Sequence, residues 1–431
     1  MALPEKGSKK LLNAWAFYDW ANSVYSLVIA SAVFPIFFDS LFSEGNTTVI
    51  IFGTGVKGTA LISFTTAFAF LIVSFISPLL SGIADYAGNK KIFLKLFCYI
   101  GALSCVGLYW FSLENIYLSL VCYLMGLVGF WGSLVFYNSY LPDIAYPEQQ
   151  DAVSARGYSL GYIGSVLLLI GVLAVLMTAA DENKIEVMKW SFVSVGAWWI
   201  LFSQYSYYYL PTGNKGKKVT GDVMLNGFRE LRKVWGQLKQ NLRLKRYLGS
   251  FFVYSMAVQT VMLAATYFGA KEINWGDEGE KRTGLIISIL LIQLVAVAGA
   301  IMMSRLSGRY GNITTLVWVN CIWAAICIWA FFIHTPIEFY VTAGFVGLVM
   351  GGIQSLSRST YSKFLPETTD TASFFSFYDV TEKIGIVIGM LLYGAIDQVF
   401  GSMRYSIIFL TVFFLTGIVL LLRVPKKMDI K

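Results

Sequence analysis

With 431 residues, 57% of them hydrophobic and only 13% charged, the chain holds more apolar surface than a water-soluble fold of this length can hide. A soluble enzyme or binding domain is thereby excluded, and a bilayer becomes the solvent. The net charge of +8 comes from bases set between apolar runs, a pattern that selects membrane lipids rather than nucleic acid as their partner.

A hydrocarbon core about 30 Å thick takes roughly 20 apolar residues per helix. Twelve such runs are present, at 14–41, 59–82, 92–111, 116–140, 157–180, 187–210, 247–270, 284–304, 313–334, 337–360, 374–397 and 404–424. They predict an all-α polytopic membrane protein with twelve transmembrane helices. Lys6, Lys9 and Lys10 precede the first run, which is about twice the length of a signal segment and therefore reads as an uncleaved helix. Placing both tails and every second loop in the cytoplasm gives that side 26 of the 33 bases, so both termini are expected there, in a cell (inner) membrane.

Ionisable groups inside a span cost roughly 2.5 to 3.5 kcal/mol at mid-membrane, which makes each one a candidate for function. In the first span Asp19, Asn22 and Ser26 recur at i, i+3 and i+7, placing a carboxylate, an amide and a hydroxyl on one stripe. The fourth span carries Asn138. The polar stretch 211–246 then divides the spans six and six. It contains Phe228, Leu231, Trp235, Leu238 and Leu242, with Arg229, Arg232, Lys233, Lys239 and Arg243 between them. This spacing predicts a basic amphipathic helix on the inner membrane surface, either a structural linker or a regulatory element. The seventh span carries Tyr254, Ser255, Gln259 and Thr260, and the tenth Gln354, Ser357 and Arg358. Asp379, Glu382 and Lys383 open the eleventh, where the helix dipole favours the acids. Polar side chains also serve as glue between membrane helices, which is the plainer reading of each.

The two halves echo one another. Asp85-Tyr86-Ala87-Gly88-Asn89 after the second span matches Gly308-Arg309-Tyr310-Gly311-Asn312 after the eighth. Leu141-Pro142-Asp143 matches Leu365-Pro366-Glu367, and Asp151-Ala152-Val153-Ser154 matches Asp370-Thr371-Ala372-Ser373. The domains are therefore an N-terminal six-helix half at 1–210, a linker at 211–246 and a C-terminal six-helix half at 247–431. A parallel repeat of this kind belongs to transporters that hold substrate between the halves.

Gly82-Ile83-Ala84-Asp85-Tyr86-Ala87-Gly88-Asn89-Lys90-Lys91 resembles the signature loop of the major facilitator superfamily, in which glycines make a tight cytoplasmic turn and Asp85 can face a helix N-terminus. Asn13-Ala14-Trp15-Ala16-Phe17-Tyr18-Asp19-Trp20-Ala21-Asn22-Ser23 is more specific. It resembles the autophagy-related vacuolar effluxer-like (unknown major facilitator) family. Tyr137-Asn138-Ser139-Tyr140-Leu141-Pro142, Ser154-Ala155-Arg156-Gly157 and Phe374-Phe375-Ser376-Phe377-Tyr378-Asp379 add to it at the matching helices, so the likeness covers nearly the whole chain.

The resemblance implies the major facilitator fold and secondary active transport, by alternating access, of small polar metabolites such as amino acids. It places Asp19, Asn22, Ser26, Asn138, Tyr254, Gln259, Gln354 and Arg358 toward substrate or a coupling ion. Asp19 is the leading proton- or cation-coupling group, unless it pairs with a base near the cytoplasmic mouth. Gln354 and Arg358, at i and i+4, offer an amide and a cation to a carboxylate. Asp85, Arg156, Arg305, Arg309, Asp379, Glu382 and Lys383 would form an inner gate of ion pairs, or else a static solvated face. The expected partners are a small-molecule substrate, a coupling proton or cation and membrane lipids, and the expected state is a monomer.

Two other functions share these features. One is export of drugs or lipids, suggested by the 16% aromatic content, and the other a non-transporting receptor or assembly factor. Enzyme chemistry is disfavoured. Gly157-Tyr158-Ser159-Leu160-Gly161 fits a hydrolase elbow, but it lies in a membrane helix and the lone His334 is remote. Gly53-Thr54-Gly55-Val56-Lys57-Gly58 fits a dinucleotide loop but sits in a short external connection. No nucleotide-binding lysine loop occurs. The five cysteines form no C-x-x-C pair, and one histidine is too few for a catalytic metal, so neither metal nor cofactor is expected.

Overall fold

In hydrocarbon no water accepts the backbone's hydrogen bonds, so apolar runs of this length close their own bonds as helices. The computed structural model describes residues 4–42, 48–213 and 223–425. Among them, twelve helices are long and apolar enough to cross a membrane. They are α1 (Lys9–Ser40), α2 (Gly58–Ala87), α3 (Lys90–Trp110), α4 (Ile116–Ile144), α5 (Pro147–Thr178) and α6 (Asp181–Tyr209), then α8 (Leu242–Glu272), α9 (Glu278–Tyr310), α10 (Asn312–Ala330), α11 (Pro336–Phe364), α12 (Thr371–Phe400) and α13 (Met403–Leu422). Between the sixth and seventh spans lies α7 (Val223–Gln240).

Several local features depart from the sequence expectations. The α1 helix widens to π winding over Tyr25–Val33, just before Pro35, which has no N–H to give a tighter turn. The connection after α1 is an antiparallel hairpin, β1 (Thr48–Ile51) with β2 (Thr54–Lys57), turned at Phe52 and Gly53, both at positive φ. The signature segment is helical as far as Ala87 and turns only at Gly88, whose φ of 72° suits glycine. Asp85 is therefore a buried helix residue and not a loop residue. Likewise α12 starts at Thr371, so Asp379 lies about two turns inside it. The N-terminal dipole cannot account for that acid, and the reading that it opens the helix is corrected.

The apolar stripe expected in the linker splits in two. Leu238 is buried and Leu231 half-buried, with Val234 from off the stripe buried as well, whereas Phe228, Trp235 and Leu242 face outward beside Arg229, Arg232 and Lys239. Residues 214–222 of that linker lie outside the described residues.

The described chain groups into two compact units, Met1–Tyr140 with Leu160–Phe228, and Leu141–Ser159 with Arg229–Lys431. The opening turns of α5 thus pack in the second unit. Glycines bring backbones together in each. In the first unit a Cβ on Gly129 would strike the backbone of Gly101. In the second, Cβ atoms on Gly299, Gly347 and Gly351 would strike the carbonyl oxygens of Leu348, Ile292 and Ala296, so α9 and α11 touch along bare backbone. Outside this seam, Arg404 bonds Glu272 at 3.0 Å and donates to the carbonyls of Phe331 and Ile333 at 2.9 and 2.6 Å, tying the end of α8 and the α10–α11 connection to α13.

Candidate functional site

In the first unit Asp19 is only 4% exposed, and its Oδ2 accepts a 2.8 Å hydrogen bond from the Tyr137 hydroxyl on α4. Tyr137 is itself fixed. Trp15 stacks on its ring at 4.5 Å and donates from Nε1 to its carbonyl at 2.8 Å. The carboxylate is thus oriented by an aromatic bracket built from α1 and α4. One turn on, Asn22 is 1% exposed, and its Nδ2 has no hydrogen-bond partner among the described residues. Ser26 is half-buried at the start of the π segment, where its carbonyl accepts from Ser31 Oγ at 2.9 Å. Asn138, next to Tyr137, is half-buried near the end of α4.

The second unit assembles the other candidates. Tyr254 and Tyr247 on α8 share the hydroxyl and carbonyl of Ser357 on α11, at 2.8 and 2.9 Å. Gln259 on α8 donates from Nε2 to Glu382 Oε1 on α12 at 2.7 Å. Glu382 Oε2 lies 3.2 Å from Lys383 Nζ, which also reaches Asp379 Oδ1 at 2.7 Å. Gln354 faces Met262 Sδ at 3.5 Å. A small pocket, with about 20 Å³ of space, lies against Gln259, Gln354, Ser357 and Glu382. The rings of Tyr158, Phe251, Tyr254 and Tyr378 complete its walls.

Arg358 is 2% exposed. It donates to Ser154 Oγ and to the Ser154 carbonyl, both at 2.9 Å, and its guanidinium covers the Tyr158 ring at 4.1 Å. Its cation is thus engaged with the opening turns of α5. One turn nearer the start of α5, Asp151 joins three helices. Its Oδ2 accepts from Ser307 at 2.8 Å and Lys363 at 2.6 Å, and its Oδ1 from Asn312 at 2.8 Å.

Within the second unit the gate residues read from the sequence differ in burial. Asp379, Glu382 and Lys383 form the single buried cluster just described. Arg305 and Arg309 are exposed on the last turns of α9, with Arg309 over the ring of Tyr310 at 5.3 Å, and Arg156 is exposed on α5. Sequence reasoning passed over Asp151, Ser154, Asn312 and Lys363. The first three stood out only as members of the internal repeat and, for Ser154, of a family motif as well. Their role depends on which helix ends fold together, and spacing along the chain does not carry that information.

Residues 7–430 match the family model described as "Vacuole effluxer Atg22 like". The chain belongs to the Atg22-like family. Among relatives of the Atg22-like chain, the Bacillus subtilis protein described as "Uncharacterized MFS-type transporter YxiO" is 32% identical over 425 residues, covering 96% of this chain and 95% of that one. Autophagy-related protein 22 of Coccidioides immitis is 22% identical over 522 residues, covering 95% and 85%. Among solved structures, the proton:xylose symporter XylE superposes with a TM-score of 0.70 at 11% identity, covering 96% of this chain and 95% of that one. The fold is that of the major facilitator superfamily, and this Atg22-like protein is a multi-pass membrane transporter, not an enzyme.

Proposed function

We propose that this transporter moves small polar metabolites, with amino acids or related compounds as the leading class, by alternating access of two six-helix halves coupled to a proton or cation. The convergence of Gln259, Gln354, Ser357 and Glu382 on one pocket of the second unit carries this reading, because hydroxyls, amides and a carboxylate suit a polar solute rather than a lipophilic one. Asp19 is the proposed coupling group. A buried carboxylate that keeps a phenol donor can hold or release a proton without losing its position. The description "effluxer" of the family favours export. Some of the aromatic residues that suggest drug or lipid export are stacked inside the units, as Trp15 is on Tyr137.

Counterflow in proteoliposomes tests the proposal. Saturable exchange of at least one amino acid is expected, with net uptake driven by a pH gradient in the parent protein and lost in Asp19→Asn while exchange persists. Absence of saturable flux across the amino acids would refute it.

A further inference from the structure

The cluster on α12 does not balance its charge internally. Lys383, 1% exposed, sits between two carboxylates, Asp379 at 2.7 Å and Glu382 at 3.2 Å. With all three ionised, the trio carries one negative charge in a membrane-spanning helix, where an uncompensated charge is costly. Asp379 Oδ2 is a buried oxygen left unbonded beside Lys383, without a hydrogen-bond partner among the described residues although Asp379 is only 6% exposed.

Among the described residues no further base bonds Asp379 or Glu382. From α8 the cluster meets Gln259, and Tyr254 of α8 and Tyr158 of α5 line the same pocket as Glu382. On α11, Tyr361 packs on Tyr378, while Arg358 is engaged with Ser154 and covers the ring of Tyr158. The one base of α13, Arg404, is bound to Glu272.

On its other side Glu382 forms part of the wall of the pocket, together with the rings of Tyr158, Phe251, Tyr254 and Tyr378. A carboxylate set among aromatic faces recognises an organic cation, since ring and carboxylate attract the same charge. The pocket's roughly 20 Å³ holds a group about the size of one water, which suits an ammonium head and not a whole solute. We infer that this pocket binds the protonated amine of the transported solute against Glu382, the incoming ammonium supplying the positive charge that the trio lacks. The inference rests on the reading of the chain as a carrier of amino-acid-like solutes. It adds that recognition runs through the amine end.

Purified full-length protein provides the test. Amino acid amides, which keep the ammonium and lose the carboxylate, and N-acetyl amino acids, which do the reverse, are titrated while the melting temperature is followed. Saturable stabilisation by amides, and none by the acetylated set, is expected. Glu382→Gln still accepts from Gln259 but lacks the charge. It should weaken amide binding at least about tenfold, as expected for losing a charge-assisted contact. Glu382→Asp keeps the charge and should restore part of the binding, which separates recognition from mere packing. Stabilisation by acetylated compounds alone, or amide binding unchanged in Glu382→Gln, would overturn the inference. Amino acid counterflow without amide binding would also overturn it and leave the transport reading standing. Amide binding through Glu382 without any flux would have the opposite effect.

Discussion

Asp151 takes hydrogen bonds from side chains on α9, α10 and α11, and Lys363 is the basic member of that set. Asp151→Ala would leave the ammonium of Lys363 facing Asn312 alone in a largely buried site, so a loss of about 3 kcal/mol is expected. Adding Lys363→Met should recover part of that loss, because the pair costs less to remove whole than to halve. Thermal melts of the single and double variants check this, and a double variant no more stable than Asp151→Ala would disprove it. Tyr137→Phe at the other site removes the donor to Asp19 and leaves the ring stack intact, so about 1 to 2 kcal/mol should be lost. At this scale the sequence was only partly legible. Asp19 and Glu382 stood out because a charge inside an apolar run is conspicuous by itself. Asp151 did not, since it falls in a polar stretch where nothing distinguishes a solvated acid from one bonded to three helices.

The glycines of α11 allow a paired comparison within one helix. A Cβ at Gly351 would strike the Ala296 carbonyl, whereas a Cβ at Gly344 meets nothing within 4 Å. Gly351→Ala should therefore destabilise by about 2 kcal/mol or more through overpacking, and Gly344→Ala should stabilise by about 0.5 to 1 kcal/mol through helix propensity. Melting temperatures moving in opposite directions are the expected result. The ammonium of Lys233 on α7 is held well above its ordinary value by the carboxylate of Asp370, at the start of α12, and after it by Glu230. A base raised in this way adds stability below its ordinary pKa and gives it up only as pH climbs through the raised one. Protease sensitivity of the linker should therefore stay constant from neutral to mildly alkaline pH. Helix existence was legible at this scale because apolar length sets it. Helix ends were not. The first turns of α5 read as loop on hydropathy, yet their polar groups find partners inside the protein, as Asp151 and Ser154 do. The hairpin had a usable signal, the β-branched run Thr48-Val49-Ile50-Ile51 before Phe52-Gly53, which attention to the glycine pattern alone obscured.

For the whole molecule, the distribution of lysine and arginine predicts both tails on the cytoplasmic side. In a cysteine-free background, Lys6→Cys and Arg423→Cys should both be shielded from an impermeant maleimide applied to intact cells and react once the cells are opened. Labelling of either from outside would invert or break the topology. The count of spans was readable from composition, whereas packing was not, because the two compact units divide α5 near Ser159 rather than between spans. The seam where α9 and α11 meet without side chains between them bears on motion. Two rods joined backbone to backbone have no spacer layer to shear, so they must travel as one plank. Spin labels at the exposed positions Ile301 and Phe345 should accordingly report one unchanging separation with or without solute, leaving whatever stroke the second unit makes to the helices around that plank.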